Sequence, residues 1–455
     1  MQPPTEAANG IPSTLQHPAA ARFWLALIGT GAIAGLGAVA LTRLLEVVQR
    51  LVWGGTGMDL LASVVQTSST HHVLALLSAG AVTGVGQIVL KRLSSGNGID
   101  TTAAIWFYAG RLPSLRTLGS AVLSVIIVGM GASLGREGAP KQVGAVFANF
   151  FADGARLSDE QRRLLVACGA GAGMAAAYGV PLGGALFSLE VMRGALALRY
   201  VLPALVSSVV AAAVAWTMLP DAPTYIIPAY ASSASVIGWA LLAGPIAGLF
   251  SVAYVRLIMW AERNKPQNWR RIVIPVAGLG LLGMISTRLP QILGNGRDVS
   301  QLAFVDQMPI LLLVTLLILK PFATILCVRC GAPGGLFTPT LAAGAMLGGA
   351  LGYMSAWLLP ALPVGLCALL GAGAVLAATT QGPISAVVLM MELTGRDRSF
   401  ILPLLLAVCT ATLVARSIER RSIYDARLTD EEIEARQKLR ESVSTPPAVE
   451  SETKS

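Results

Sequence analysis

A chain of 455 residues that is 54% hydrophobic and only 13% charged, with a mean hydropathy of +0.67, is too apolar for a soluble domain and reads as an all-α polytopic membrane protein. Its 33 Lys and Arg against 24 Asp and Glu give a net charge of +9. The basic residues gather at the ends of apolar segments rather than in one patch, which excludes nucleic acid as the expected partner and leaves the lipid bilayer.

Residues 1–21 form a polar, proline-containing arm without a cleavable signal, so the apolar run that follows is expected to stay as a span. Apolar segments then recur at 23–42, 72–90, 117–134, 164–192, 200–219, 235–260, 272–286, 309–327, 336–359, 364–393 and 400–415. Several approach the roughly 20 residues that cross a bilayer. Others are shorter, and many of the 48 glycines and 25 prolines interrupt them, which predicts tilted and half-spanning helices whose free backbone groups face protein or a cavity. Lys91 and Arg92, Arg156, Arg162 and Arg163, Arg263, Lys265, Arg270 and Arg271, and Arg416, Arg420 and Arg421 flank the segments, whereas 53–70 has no Lys or Arg. The positive-inside rule then puts both termini in the cytoplasm and the protein in the cell (inner) membrane. The membrane domain runs over 22–424; 425–455 is a charged tail, helical around Asp430–Glu441 and too polar beyond it to build a globular unit.

The five cysteines are scattered in or beside apolar segments, and the three histidines, His17, His71 and His72, sit in the arm and at a loop edge. No disulfide framework and no metal-ligand set follows, so no cofactor is expected. An intramembrane enzyme built on Arg136 and Glu137 is the reading from another class. It would need a nucleophile with its base, a metal set or a Gly-x-Ser-x-Gly turn, and the sequence supplies none.

The two halves resemble each other. Gly169–Ala172 aligns with Gly371–Ala374, and the same offset superposes Ala175 and Ala176 on Ala377 and Ala378, Pro181 on Pro383, and Glu190 on Glu392 without a gap. Internal repeats with Gly/Pro-broken segments point to a transporter-type fold in which helix ends from both halves meet near the midplane; the relative orientation of the repeats stays open at this point. Three glycine-rich breaks each precede a helix: Gly96-Asn97-Gly98-Ile99-Asp100, Gly135-Arg136-Glu137-Gly138, and Gly331 to Pro339. Unpaired amides at such helix starts, aimed inward, make an anion site without a full positive side chain. Turns and close helix packing are the plainer use of the same glycines.

Gly135-Arg136-Glu137-Gly138, Gly331-Ala-Pro-Gly-Gly-Leu-Phe-Thr-Pro339, and the run from Gly171 through Pro181 to Glu190, in that set of positions, resemble the CLC chloride channel and transporter family over most of 23–424. The resemblance implies a bundle of many tilted and half-spanning helices built as inverted repeats, a membrane homodimer with one anion pathway per subunit, and chloride as the ion carried. It makes Glu137 the gating carboxylate, which competes with the anion for one ring of amides and leaves on protonation. It makes the amides of Gly138, Leu336 and Phe337 the anion's ligands, Asn97 and Gly98 part of the same site, and Tyr424 the tyrosine whose hydroxyl caps the central position.

Three departures from the family pattern bear on mechanism. Asn97 stands where the family has serine, which keeps a hydrogen-bond donor but leaves anion preference open, and Asp100 replaces a proline and is expected to turn away as a helix cap. Lys141 replaces an apolar residue four places after Glu137; it either pairs with that carboxylate on one helical face or points to water at the mouth. Val191 stands where proton-coupled members usually carry a second acid, which favours a passive, pH- or voltage-gated channel over a proton-coupled antiporter. Arg136 and Lys320 are further candidates to shape the potential along the path. Glu190 and Glu392 are expected to be structural acids bonded to helix ends.

Overall fold

The computed structural model describes residues 20–54, 59–92, 100–356, 362–395, 400–428 and 430–435. The first half holds α1 (Ala20–Trp53), α2 (Leu60–Val65), α3 (Ser69–Arg92), α4 (Thr101–Phe107), α5 (Ser114–Gly129), α6 (Gly138–Gly154), α7 (Asp159–Tyr178), α8 (Pro181–Leu186), which runs on as a π-helical turn over Phe187–Arg193, and α9 (Leu198–Trp216). The second holds α10 (Ala234–Arg263), α11 (Arg270–Ser286), α12 (Arg297–Phe304), α13 (Ile310–Arg329), α14 (Phe337–Ala356), α15 (Val364–Thr380), α16 (Pro383–Thr394) and α17 (Ile401–Ile418), with 3-10 turns at Pro290–Ile292 and Ile423–Arg427.

Local sequence explains why the apolar segments break where they do. α7 opens on a capping box between Ser158 and Gln161 and stops at Gly179, whose φ of 67° is left-handed; Pro181 then starts α8 at a position where its missing N–H costs nothing. α15 stops at Gln381 with φ 60°, and Pro383 restarts the chain as α16. The apolar segments 164–192 and 364–393 are therefore each two elements meeting at a sharp turn. Among the described residues, six helical stretches are long and apolar enough to cross a membrane: α1, α3, α9, α10, α13 and the stretch that begins with α17. α15 is buried along its whole length, as expected of a helix that is apolar all round.

The helices pack through small residues. A Cβ placed on Gly144 would strike the Gly169 carbonyl, and one on Gly169 the Gly144 carbonyl, where α6 crosses α7. Gly344, Gly348 and Gly371 repeat that close crossing between α14 and α15.

The orientation left open by the sequence is settled by packing between equivalent elements. α3 and α11 hold the same place in the two halves and pack antiparallel: Gly80 abuts Pro275, Gly84 abuts Arg271, and Gly283 abuts His72. Equivalent helices therefore run in opposite senses, and the repeats are inverted. The two matched acids obey the same symmetry. Glu190 accepts hydrogen bonds from the Ser385 N–H at 2.6 Å, the Ser385 hydroxyl at 2.7 Å and the Ile384 N–H at 3.2 Å at the start of α16, while Glu392 accepts from the Gly183 and Leu182 N–H groups at 2.6 and 2.9 Å at the start of α8. Each half caps a helix of the other.

The beginning of the tail is docked rather than free. Leu428 and Ile433 are buried against Ala103 of α4, and Asp430 pairs with Arg263 of α10. Residues 430–435 are helical; the remainder of the expected Asp430–Glu441 helix lies outside the described residues, as does all but the last two residues of the 1–21 arm.

Candidate functional site

Two glycine-rich loops meet at the centre of the molecule. After α5 the chain reverses through Gly131 at φ 104°, and after α13 through Gly331 at φ 80°, conformations that glycine adopts without strain. The loops then run antiparallel, and Gly135 and Gly335 exchange both backbone hydrogen bonds at 2.8 Å. Each loop leads into a helix, and a Cβ on Gly138 at the start of α6 would lie 3.1 Å from the Gly335 nitrogen, so the N-termini of α6 and α14 converge. Their leading N–H groups lack intrahelical acceptors and carry the positive end of the peptide dipoles, which favours an anion before any side chain is counted.

In this structure a side-chain carboxylate takes that position. Glu137, 1% exposed, turns toward the other repeat: Oε1 accepts from the Phe337 N–H at 2.6 Å, and Oε2 accepts from the hydroxyls of Thr338 and Tyr178, each at 3.2 Å. The two hydroxyl oxygens are 2.7 Å apart. A Cβ on either Gly135 or Gly335 would overlap this carboxylate, so two absent side chains make its resting place.

Space opens on both sides of Glu137. On one side Arg136 lies 5.2 Å over the Tyr178 ring and, with Arg297, Glu46 and Thr42, lines a cavity of about 130 Å³. On the other, a pocket of about 50 Å³ is lined by Gly138, Lys141, Gly335, Leu336 and Tyr424 among others. It shares Asp100, Ser120, Gln142 and Pro333 with a cavity of about 640 Å³ that also touches Arg116, Arg263 and Lys265 together with Glu262 and Asp430. Polar groups and charges of both signs thus line a path from this wide-cavity side to the junction, with Glu137 across it.

Residues 75–416 match the family model described as "Voltage gated chloride channel". The chain belongs to this CLC family. It is 33% identical over 310 residues to the H(+)/Cl(-) exchange transporter ClcA of Vibrio parahaemolyticus, a match covering 65% of this chain and 66% of that protein, just under two thirds of the relative's length. It is also 33% identical over 332 residues to the voltage-gated ClC-type chloride channel ClcB of Escherichia coli, covering 69% of this chain and 76% of that one. The fold matches that of a slow cyanobacterial Cl-/H+ antiporter with a TM-score of 0.78 at 22% identity, over 93% of this chain and 98% of the other.

Of the residues that the CLC resemblance assigned, the structure brings Glu137, Gly138, Leu336, Phe337 and Tyr424 into one region. Asn97 and Gly98 lie outside the described residues. Asp100 does cap a helix, accepting from the Thr102 N–H at 2.9 Å at the start of α4, while still lining the pocket of about 50 Å³. Val191 is buried on the π-helical turn beside Met192, which lines the same pocket.

Lys141 and Lys320 depart from expectation. Lys141 does not turn to Glu137: its ammonium lies over the rings of Tyr424 at 4.3 Å and Phe187 at 5.2 Å. The backbone keeps the helical four-residue relation, with the Glu137 carbonyl accepting the Lys141 N–H at 3.4 Å, but the Glu137 side chain turns across to the Phe337 N–H on α14 while Lys141 lies against the two rings. Lys320 is fully buried and donates to the carbonyls of Ile292, Leu293 and Gly294 at 2.8–2.9 Å. It staples the turn after α11 to α13 and lines neither the pocket of about 50 Å³ nor the cavity of about 640 Å³. Tyr178 and Thr338, which hold the carboxylate, were not singled out from the sequence. Thr338 follows Phe337 inside a recognised motif and could have been; Tyr178 reaches the site only through the packing of α7 and carries no local signal.

Proposed function

We propose that the protein carries small anions, chloride first among them, across the cell membrane through this pathway, with Glu137 as the gate and both termini cytoplasmic. The observation that carries the reading is the Glu137 carboxylate seated on the Phe337 N–H at the convergence of two helix starts. A carboxylate and a halide need the same donors, and two like charges exclude each other there. Protonation removes that charge and frees the donors for the passing ion. Gly138, Leu336 and Phe337 supply amides, Tyr424 closes the path on the wide-cavity side, and no cofactor is required. A homodimer with one pathway per subunit fits the family. Transport, rather than an intramembrane hydrolase or transferase, is also what the names of its relatives describe.

Two modes of transport fit. Passive conduction rests on Val191, an apolar side chain where a proton relay would use an acid. Proton-coupled exchange is supported by the name of the Vibrio relative. Purified protein in vesicles tests both: chloride efflux on adding a potassium ionophore supports transport, and its absence from well-folded protein refutes it. A reversal potential that ignores a pH gradient identifies a channel; one displaced toward the proton equilibrium potential identifies an exchanger.

A further inference from the structure

On the side of Glu137 away from the wide cavity, Arg136 and Arg297 share the cavity of about 130 Å³. A site for one water takes about 10–15 Å³, so this space holds a molecule of several heavy atoms. Arg136 Nη2 reaches the Ala177 carbonyl at 3.5 Å and its guanidinium lies over the Tyr178 ring, while its Nε is buried with no acceptor among the described residues. Arg297 donates two long bonds, 3.3 and 3.4 Å, to the Thr224 carbonyl. Neither guanidinium forms an ion pair among the described residues. Two carboxylates border the pair. Glu46 lines the same cavity and is held by Arg43 at 2.9 Å; Asp298 lines an adjoining pocket of about 30 Å³ and accepts the Leu61 N–H at 3.0 Å. Three guanidiniums thus stand against two carboxylates, and the balance is positive.

A guanidinium presents its donors as a planar fork that matches the two oxygens of a carboxylate, a fit that a spherical halide does not use. The rest of the cavity's lining is largely apolar and includes Trp216, Leu219, Pro220 and Pro223. Trp216 is 40% exposed, and both prolines are exposed, so this wall opens to the surface. Fixed positive charge beside an apolar wall selects an ion that carries hydrocarbon.

We propose that this cavity binds a small aliphatic monocarboxylate, its oxygens on Arg136 and Arg297 and its chain against Trp216 and the two prolines, and that the bound acid plugs the outer end of the anion path. The inference rests on the transport reading, which puts the tail and the wide cavity it lines in the cytoplasm and this cavity outside. The plug sits close to the gate, because the ring beneath Arg136 belongs to the tyrosine that donates to Glu137.

The test titrates hexanoate, acetate and the uncharged hexanamide into the purified full chain by calorimetry, and adds each outside strongly buffered vesicles during chloride efflux. The wild type is expected to bind hexanoate about tenfold or more tighter than acetate, which lacks the chain, or hexanamide, which lacks the charge. External hexanoate is expected to slow efflux by about half near its Kd in the outward-facing molecules. Arg297→Gln should raise the hexanoate Kd about tenfold or more, and Trp216→Ala should shrink the preference over acetate to within about threefold. A hexanoate Kd within about twofold of the wild type in Arg297→Gln, or hexanamide binding as well as hexanoate, overturns the site. Should Arg297→Gln fail to stay monodisperse, Trp216→Ala, at a half-exposed position, decides by its own comparison. Hexanoate that binds through Arg297 without slowing efflux overturns the plug. A wild type that binds hexanoate but passes no chloride overturns the transport reading instead.

Discussion

Glu137 and the two glycines that flank its carboxylate work as one device. Gly335 is not held at positive φ, so its backbone accepts alanine, but the added Cβ would occupy the space of the Glu137 carboxyl group. The side chain is the movable partner in that collision. Gly335→Ala is therefore expected to displace the gate and raise chloride efflux at neutral pH several-fold, toward the level of Glu137→Gln, as measured from vesicles. Glu137→Gln itself should keep flux and lose its pH dependence, because an amide carries no charge to compete with chloride in either pH range. Abolished flux in a well-folded Glu137→Gln protein would remove the gate assignment. The sequence made Glu137 legible because an acid flanked by glycines inside an apolar chain has few structural uses. It could not disclose that Tyr178 would join Phe337 and Thr338 as a donor, since Tyr178 on α7 and the other two on α14 belong to different halves and meet only after the halves close.

At the scale of elements, the short helices depend on distant acids. Removing Glu392 leaves the Leu182 and Gly183 amides at the start of α8 without an acceptor, and removing Glu190 does the same at α16. Glu392→Ala and Glu190→Ala are each expected to cost about 1–2 kcal/mol, read as a lower unfolding temperature in detergent. Lys320→Met should lower stability by roughly 1–3 kcal/mol, since three carbonyls lose a donor, while leaving the chloride Kd within about twofold. Equal anion binding with unchanged stability would contradict the stapling role. Alignment of the halves had already paired Glu190 with Glu392 and suggested helix ends as their partners. Sequence reasoning read Lys320 through its charge, whereas its surroundings, a turn presenting three carbonyls, are set by the meeting of α13 with the Pro290–Ile292 turn.

For the whole molecule, composition and periodic interruption were enough to give an all-helical membrane protein with internal duplication, and the motifs gave the family. The sense of the duplication was not readable, because a match between Gly169–Ala172 and Gly371–Ala374 is the same whichever way the second copy points; the antiparallel packing of α3 on α11 supplies it. Coupling is a property at this scale too. With Val191 in the buried π-helical turn, the expected reversal potential under a threefold chloride gradient is independent of a superimposed pH gradient, and a shift of more than a few millivolts would demand another proton route. The exchange of caps between halves also constrains biogenesis. Leu182 and the acid that accepts its hydrogen bond are 210 residues apart, an interval of about 10–40 s at ordinary rates of ribosomal synthesis. During that wait the first half sits in the bilayer with one helix start unquenched. A nascent chain arrested before Glu392 should accordingly stay open to proteases and lipid, and late chain completion would act as the latch that commits both copies together.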